Sequence, residues 1–448
     1  MLRFVVRISL ASLLVAYSLA AHASGFALRE WSASAQGNGF AGATAGAEDV
    51  SYISFNPAGL TRHHGDHAAV TVTYIAPQIE FSASGATTIL GTPIGGGDGG
   101  SDAAPNAIAP ALYLSHQFSS NLFGGISVIA PYGLTTDYDD DWVGRYHAIK
   151  TEIVGIEINP MLAYKITPKL SVGGGLRILY AKGELSNAID FGTLAVILDG
   201  PDNVFGGVPA GNDGFAKVEG DDFGFGYNFG FLYEIDKGTR VGASYRSKIS
   251  TNLDGDAKFD NGAVGDAIGA ALGGAFSDTG ITTKIDFPEM VSIGVYHDLT
   301  KRWAIMAEAA WTRWSRIKEL RVKFDNPAQP DSVIPSDWED SWFFSIGATY
   351  RHSSRLALRF GLAYDQTPVP DSTRTPRVPD EDRTWVSVGL QYALGKSAVL
   401  DIGYTHMFLP DAKIDLSAAE PDNALRGNLA GSSEASADIF AVQLRFEL

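Results

Sequence analysis

Three arginine residues, Arg177, Arg359 and Arg383, are the side chains whose type and setting best suit binding chemistry. Each lies in a segment of alternating character, and strand phase places each on the face opposite the bulky apolar residues. A guanidinium fork matches the two oxygens of a carboxylate, so this face could hold an anion. Asp365 shares the face and could instead pair with an arginine. The residues leave both alternatives open, an anion site and an internal charge network.

Catalytic and metal-binding chemistry has little support. The chain has no cysteine, which excludes thiolate sites, and no local group of nucleophile, base and orienting residue is recognisable. His63, His64 and His67 could bind a metal, but they lie where the sequence pattern changes, which favours a structural junction. Residues 37–42, GNGFAG, match G-x-G-x-x-G without a preceding strand, so close packing is the better interpretation. The acidic run at 137–141 is typical of a solvated loop, with calcium binding as the alternative. We expect no catalytic residue, metal or cofactor.

The first 23 residues have the features of a signal peptide. Arg3 and Arg7 form a positive start, residues 10–20 are apolar, and residues 21–23, AHA, match a cleavage site. We therefore predict that residues 1–23 are removed on export. Their removal lowers the number of bases from 34 to 32 against 51 acids, and moves the net charge from −17 to −19. Such an acidic chain is not expected to bind nucleic acid.

The rest of the chain is dominated by residues that alternate with period two. Residues 223–235, FGFGYNFGFLYEI, place bulky apolar side chains on one face, and residues 356–365 and 440–448 repeat the pattern. No apolar run after residue 23 reaches the ~18 residues of a membrane helix. An exported chain without such helices is either soluble or a β-barrel.

Fourteen alternating segments are predicted as strands, and many exceed the ~5–6 residues usual in globular proteins. They lie at residues 67–82, 107–118, 121–133, 146–166, 169–187, 213–235, 239–254, 280–299, 302–324, 337–352, 355–365, 381–394, 398–410 and 436–448. Short turns follow the even-numbered segments, whereas long loops follow the odd-numbered ones. Such sorting is typical of outer-membrane barrels. We therefore predict an all-β fold, a transmembrane antiparallel β-barrel of about 14 strands over residues 67–448, in the cell outer membrane of a Gram-negative-type bacterium.

Residues 24–66 differ from the barrel region. They are rich in glycine, alanine and serine, have neither helical nor strand periodicity, and approach their end at the turn signal Asn56-Pro57-Ala58-Gly59. A small irregular segment ahead of a barrel is predicted to be a hatch, a plug inside the lumen. A plugged lumen is not an open pore, so any molecule that crosses must pass the hatch.

These residues resemble the FadL-type family of outer-membrane transporters for long-chain fatty acids and other hydrophobic compounds. Residues 24–60 are similar to the hatch of that family, with Asn56-Pro57-Ala58 in the place of its NPA turn. Residues 130–134, APYGL, resemble a third-strand signature, and residues 311–315, WTRWS, resemble a WS-containing segment. The most specific match is DQTPVP at 365–370, which continues to PDEDRTW at 379–385.

The resemblance implies uptake by lateral diffusion, in which a kink in the third strand opens the wall beside the hatch. Proline lacks an amide donor and is normally confined to edges or bulges of a sheet. Pro131, with Tyr132 and Gly133, is therefore predicted to form the kink. The alternative is that Pro131 only ends the strand before its loop.

The resemblance also indicates where a substrate carboxylate would bind. A fatty-acid pocket needs an apolar lining with one or two cations. Lys182 and Arg321 resemble positions near the ligand pocket of the family, although strand phase places neither inward. With Arg359 and Arg383 they form the set of carboxylate candidates.

Other functions and partners remain open at this point. Aromatic hydrocarbons are an alternative substrate for the same route, and a barrel enzyme such as a lipase or protease is the alternative from another class. Expected partners are a hydrophobic small molecule, outer-membrane lipid and lipopolysaccharide, and the barrel-assembly machinery. Apolar loops at 189–198 and 262–276 could capture substrate or pack together as a lid. The chain ends in Leu448, whereas such barrels commonly end in an aromatic residue.

Overall fold

A computed structural model describes residues 25–448 with the exception of residue 101. The predicted signal peptide, residues 1–23, and the first predicted hatch residue, Ser24, lie outside the described residues. Across the described range, no helix combines the length and apolar content needed to span a membrane.

Strands make up most of the described chain. The segments are β1 (His67–Thr87), β2 (Ala107–Gln117), β3 (Leu122–Asp137), β4 (Lys150–Lys165), β5 (Leu170–Asp190), β6 (Asp213–Glu234), β7 (Thr239–Arg246), β8 (Ile249–Asp260), β9 (Thr279–Phe287), β10 (Met290–Asp298), β11 (Trp303–Thr312), β12 (Glu319–Phe324), β13 (Ser332–Pro335), β14 (Ser341–Arg351), β15 (Leu356–Asp365), β16 (Arg383–Ala393), β17 (Ala398–Phe408), β18 (Ala412–Leu416) and β19 (Asn428–Glu447). The α-helices are α1 (Ala33–Gly37), α2 (Ala43–Gly46), α3 (Phe191–Asp199) and α4 (Gly262–Ala271). Short 3-10 turns cover Val50–Ser54, Pro57–Arg62, Gly200–Asp202, Trp314–Arg316 and Pro421–Asn423.

These segments form fourteen strands of one closed antiparallel barrel. Five strands are interrupted and consist of two segments each: β7 with β8, β9 with β10, β11 with β12, β13 with β14, and β17 with β18. Strand β1 pairs with β2 on one side and with β19 on the other, so the sheet closes on itself. The prediction of a barrel of about 14 antiparallel strands is confirmed.

The alternation of side chains matches the predicted inner and outer faces. On β6, the outward-facing Phe225 is 65% exposed, whereas Leu232 on the inner face of the same strand is 1% exposed. The outward apolar row of residues 223–235 would be costly in water but suits lipid, because an outer-membrane barrel carries an apolar outer band.

Loop lengths are also sorted as predicted. Six turns of four residues each, at 118–121, 166–169, 235–238, 299–302, 352–355 and 394–397, lie at one end of the barrel. The opposite end carries the longer connections, which include the helices α3 and α4. Several strands extend further into this loop end than predicted: β1 ends at Thr87, β3 at Asp137, and β19 begins at Asn428. Apolar alternation is lost there because a strand beyond the membrane needs no apolar outer face.

Residues 25–63 are buried or partly buried inside the barrel, whereas residues 64–66 are exposed. Helix α1 contacts β15, β16, β17 and β19, α2 contacts β7, β10 and β11, and the 3-10 turn Pro57–Arg62 contacts β3 to β6. Because these strands are distributed around the circumference, the segment occupies the lumen. Glycines on the inner face allow the approach: a Cβ on Gly361 would lie 2.1 Å from the backbone of Asn38.

Candidate functional site

The start of the hatch pairs with the third barrel strand, β3. The Leu28 nitrogen donates to the Pro131 carbonyl at 2.9 Å, the Gly133 nitrogen donates to the Phe26 carbonyl at 3.0 Å, and Ala27 forms an isolated bridge with Tyr132. Residues 26–28 therefore act as a short extra strand beside β3.

Pro131 lies inside a continuous strand, at an irregularity in its pairing. Between β3 and β4 the register passes from Ile129–Glu157 to Tyr132–Gly155, so Ala130 and Pro131 together oppose a single residue. Such a bulge suits proline, which cannot donate to a regular ladder. Strand β3 continues to Asp137, so the alternative that Pro131 ends the strand does not describe this structure.

A gap in strand pairing lies beside this bulge. Pairing between β2 and β3 runs from Gln117–Phe123 to Leu112–Val128 and stops there, although β3 continues for nine more residues. Residues 26–28 occupy the edge of β3 that β2 leaves unpaired, and the Asp137 nitrogen donates to the Ala103 carbonyl further along. The hatch thus covers an opening between the second and third strands.

An aromatic cluster surrounds Phe26. Its ring centroid lies 4.8 Å from that of Trp314, 5.5 Å from Trp338, 5.8 Å from Phe287 and 6.1 Å from Tyr132. All five rings are nearly inaccessible to solvent. Phe26 is therefore fixed by packing on one side of the gap, and by backbone hydrogen bonds on the other.

A cavity of about 540 Å³ lies against this cluster. Its apolar wall includes Phe26, Ile153, Leu253, Ile285 and Val369. Its basic lining residues are Lys284, Arg316, Lys318, Arg321, Lys323 and Arg377. The volume and mixed lining suit an elongated molecule with an apolar body and one polar end.

The structure separates the four predicted carboxylate candidates. Arg321 lines the cavity, where it is paired with Glu319 at 2.6 Å and Asp331 at 3.2 Å. Lys182 of β5 is half-buried and lies opposite Asp221 of β6 in the strand register. It does not line the cavity.

Arg359 and Arg383 also lie away from the cavity, so a role for either in binding a substrate carboxylate stays a prediction. Arg359 is fully buried and contacts Asp401 at 2.7 Å and Glu48 of the hatch at 3.5 Å. Arg177 is likewise buried against Glu157 at 2.8 Å. These inward arginines balance buried acids, which is the charge network that the sequence left open.

Arg383 belongs to a network that reaches the start of the hatch. It contacts Asp380 closely and Asp365 at 3.6 Å. Asp380 in turn accepts hydrogen bonds from the Gly25 nitrogen at 3.0 Å and the Thr367 hydroxyl at 2.7 Å. Arg383 thus positions the acid that holds residue 25, one residue before Phe26.

The turn Asn56-Pro57-Ala58 fastens the hatch core to the wall. The Asn56 side-chain oxygen accepts from the Ala58 nitrogen at 3.0 Å and caps the 3-10 turn that follows. Its Nδ2 donates to the Thr44 carbonyl at 2.7 Å and to the Phe231 carbonyl of β6 at 2.9 Å. One side chain therefore joins two parts of the hatch and a barrel strand.

The surroundings of Glu30 and His63 in the hatch shift the pKa values of both side chains. Burial raises the pKa of Glu30 to about 7, and its Oε1 has no partner among the described residues. Burial lowers the pKa of His63 to about 3, with a smaller opposing effect from Asp49. His67 contacts the His64 carbonyl at 2.8 Å. No cluster of three or more histidine, aspartate or glutamate residues suited to a metal occurs within the described ranges.

The two apolar loops meet at the outer end of the barrel. Phe191 of α3 and Ile268 of α4 are fully buried, and they belong to one apolar cluster with Leu194 and Ala195. Ile197, on the same helix α3, remains 45% exposed. The loops do pack against each other, as one of the two interpretations expected.

Sequence reasoning missed two residues that shape the site. Phe26 carries no special pattern in the sequence, and its role depends on contacts with strands more than 100 residues away. Arg377 lies in the segment that resembles the family most closely, but it falls in a loop to which strand phase does not apply. A search for bases in that loop would have found it.

A family model described as Outer membrane protein transport protein (OMPP1/FadL/TodX) matches residues 14–448. The long-chain fatty acid transport protein of Escherichia coli O6:H1 (strain CFT073) is 31% identical over 399 residues, which are 87% of this chain and 88% of that protein.

Solved structures share the fold. A Pseudomonas aeruginosa FadL homologue has a TM-score of 0.87 at 24% identity, with 94% of this chain and 99% of that chain covered. The P. putida toluene transporter TodX has a TM-score of 0.67 at 18% identity, with 89% and 94% covered. Since the family model spans nearly the whole sequence, this protein belongs to the OMPP1/FadL/TodX family of outer-membrane transport proteins.

Proposed function

We propose that this transporter carries long-chain fatty acids, or similar hydrophobic molecules, from the cavity past Phe26 and out through the wall beside Pro131, Tyr132 and Gly133. The position of Phe26 carries the proposal. Its ring lines the cavity, while its carbonyl is bonded to Gly133 at the unpaired edge of β3. Moving residues 26–28 would therefore join the cavity to the gap in one step.

The route needs no energy cofactor. An alkyl chain gains about 0.8 kcal/mol for each CH₂ moved from water to apolar surroundings, in the cavity or in the bilayer alike. Passage from one to the other therefore follows the concentration gradient. Lateral exit also avoids the hatch core, which Asn56 and the buried arginines tie to the wall.

An aromatic hydrocarbon is the second candidate substrate. The rings of Phe26, Trp314 and Trp338 pack at one side of the cavity and offer edge-to-face contacts to another ring. The likeness of the fold to a toluene transporter agrees with this candidate.

We assign no catalytic role to this chain, so the lipase and protease alternatives are set aside. The outward apolar rows would contact outer-membrane lipid, and the longer loops would stand among lipopolysaccharide head groups. Insertion of such a barrel implies the assembly machinery as a partner.

Uptake of radiolabelled oleate and toluene by cells that lack their own fatty-acid transporter tests the proposal. We expect cells that express this chain to take up oleate faster than cells with an empty vector. If the protein is correctly inserted and the expressing cells take up neither oleate nor toluene faster than the empty-vector cells, the proposal is contradicted. Mass spectrometry of lipids that co-purify with the protein identifies the natural cargo.

A further inference from the structure

Arg377 is a buried base in the cavity wall. It is 5% exposed and lies in the loop between β15 and β16. Its Nη1 donates to the Lys150 carbonyl and the Thr151 hydroxyl, both at 3.1 Å. Its Nη2 donates to the Ser186 carbonyl at 3.1 Å and the Asn187 side-chain oxygen at 3.3 Å. All four acceptors are neutral, and its Nε has no partner among the described residues.

The other bases of the cavity differ from Arg377 in this respect. Lys284 pairs with Asp286 at 3.0 Å, Arg316 pairs with Glu289, and Arg321 pairs with Glu319. Lys318 has Asp337 at 3.8 Å, and Lys323 is exposed to solvent. Arg377 is the one cavity base that is buried and has no acidic partner within the part of the chain described.

Nearby acids do not neutralise it. Glu152 and Glu184 also line the cavity, but Lys150 contacts both at 3.2 Å, and Lys217 contacts Glu184 at 3.3 Å. A buried guanidinium with only neutral partners lacks the compensation that buried charges normally have.

A second arginine increases the positive charge near this loop. Arg426 donates to the Val333 carbonyl at 3.3 Å. Burial lowers the pKa of Arg426, and the charge of Asp422 opposes this effect. Burial, followed by the charge of Arg426, lowers the pKa of Arg377 to about 9. His147, which contacts the Gly427 carbonyl at 3.2 Å, is buried beside the two arginines. An anion bound here would relieve this repulsion.

The geometry also separates Arg377 from the apolar end of the cavity. Arg377 bonds to Thr151 of β4, whereas Tyr132, which contacts Phe26, is opposite Gly155 of the same strand. Four residues of strand correspond to ~13 Å. A molecule with its charge at Arg377 could therefore reach Phe26 with its tail.

We infer that Arg377, rather than Arg321, binds the carboxylate of a fatty acid whose tail lies towards Phe26. The inference rests on the proposed function and makes it narrower, because the preferred cargo is then a carboxylate and not a neutral hydrocarbon. Desolvation of Arg377 makes a charge-assisted hydrogen bond strong, whereas Arg321 would have to leave two acids.

The test compares oleate, methyl oleate and oleylamine binding to the purified protein in non-ionic detergent. The wild type is expected to prefer oleate over methyl oleate by roughly tenfold to a hundredfold, the range for a hydrogen bond to a charged group, and to bind oleylamine least. This comparison uses the unaltered protein, so it does not depend on the folding of any variant.

Substitutions then locate the preference. Arg377→Met should abolish the preference for oleate and leave methyl oleate binding unchanged, and Arg377→Lys should restore part of it. Arg321→Met, the matched control, should retain it. Loss of the preference in Arg321→Met alone, or equal binding of oleate and oleylamine by the wild type, would overturn the assignment. If the assignment of Arg377 fails but methyl oleate still binds tightly, the proposed transport function is retained. If oleate, methyl oleate and oleylamine all fail to bind, both the assignment and the proposed function are contradicted.

Discussion

The carbonyl oxygen of Phe26 accepts a 3.0 Å hydrogen bond from the backbone nitrogen of Gly133. This bond joins the first described part of the hatch to the irregular part of β3, while the Phe26 ring faces the cavity. One residue thus separates the cavity from the gap in the wall.

Replacement of Phe26 by alanine should increase oleate uptake. Loss of a buried phenylalanine ring typically costs about 3–5 kcal/mol of stability. Here the loss should fall mostly on the closed arrangement of residues 26–28, in which the ring is packed. Phe55→Ala is the matched control, because Phe55 is a buried ring of the hatch core that does not line the cavity. Uptake assays that show the same rate for Phe26→Ala and the wild type would argue against a gating role.

Replacement of Pro131 by valine should slow uptake without preventing assembly. Valine supplies the missing backbone donor, and one added pairing hydrogen bond of about 1 kcal/mol would shift the opening by roughly fivefold. Pro160→Val is the control, since Pro160 lies in β4 opposite Ile126 in regular register. Heat-dependent gel mobility reports barrel folding, and labelled oleate reports transport; a rate unaffected by Pro131→Val would count against the kink.

The closed hatch should weaken as pH rises from about 4.5 to about 7. Burial raises the pKa of Glu30 to about 7, from an ordinary value of 4.5. Because the folded-state pKa is the higher one, the stabilisation is complete below pH 4.5 and is lost as pH rises to about 7. The shift corresponds to about 3 kcal/mol.

Hydrogen–deuterium exchange of residues 26–31 between pH 5 and 8 measures this effect, after correction for intrinsic exchange. We expect protection to decline with pH in the wild type and to remain level in Glu30→Gln. Parallel profiles for the two proteins would show that Glu30 is not the responsible group.

Asp401→Asn should destabilise the barrel while oleate binding is preserved. Asp401 is buried between Arg359 at 2.7 Å and Arg445 at 2.8 Å, and loss of one partner from a buried pair costs about 3–5 kcal/mol. The exposed pair of Lys413 and Asp415 provides the control, because Asp415→Asn should change stability by about 0–1 kcal/mol. Urea unfolding in detergent measures the stabilities. A large loss of oleate affinity in Asp401→Asn would indicate that Arg359, the partner of Asp401, takes part in ligand binding.

Local features of the sequence were sufficient to predict the barrel. Period-two alternation and the sorting of loop lengths depend only on neighbouring residues, and they identified fourteen strands with their outward faces. Breaks within five strands, such as that between Arg246 and Ile249, were not predicted, because they follow from how adjacent strands bend together. Pro131 was recognisable because proline has the same backbone limitation in any fold.

The roles of the charged residues were decided by tertiary structure. Strand phase correctly predicted that Arg359 and Arg383 point inward. Their partners Asp401 and Asp380 could be identified only from the folded structure. Arg377 and Phe26 lie outside regular strands, where periodicity carries no information. The sequence by itself determined the wall of this transporter, since a strand in lipid must show its apolar side everywhere. The cavity and its closure depend on long-range contacts, and only the folded chain defines them.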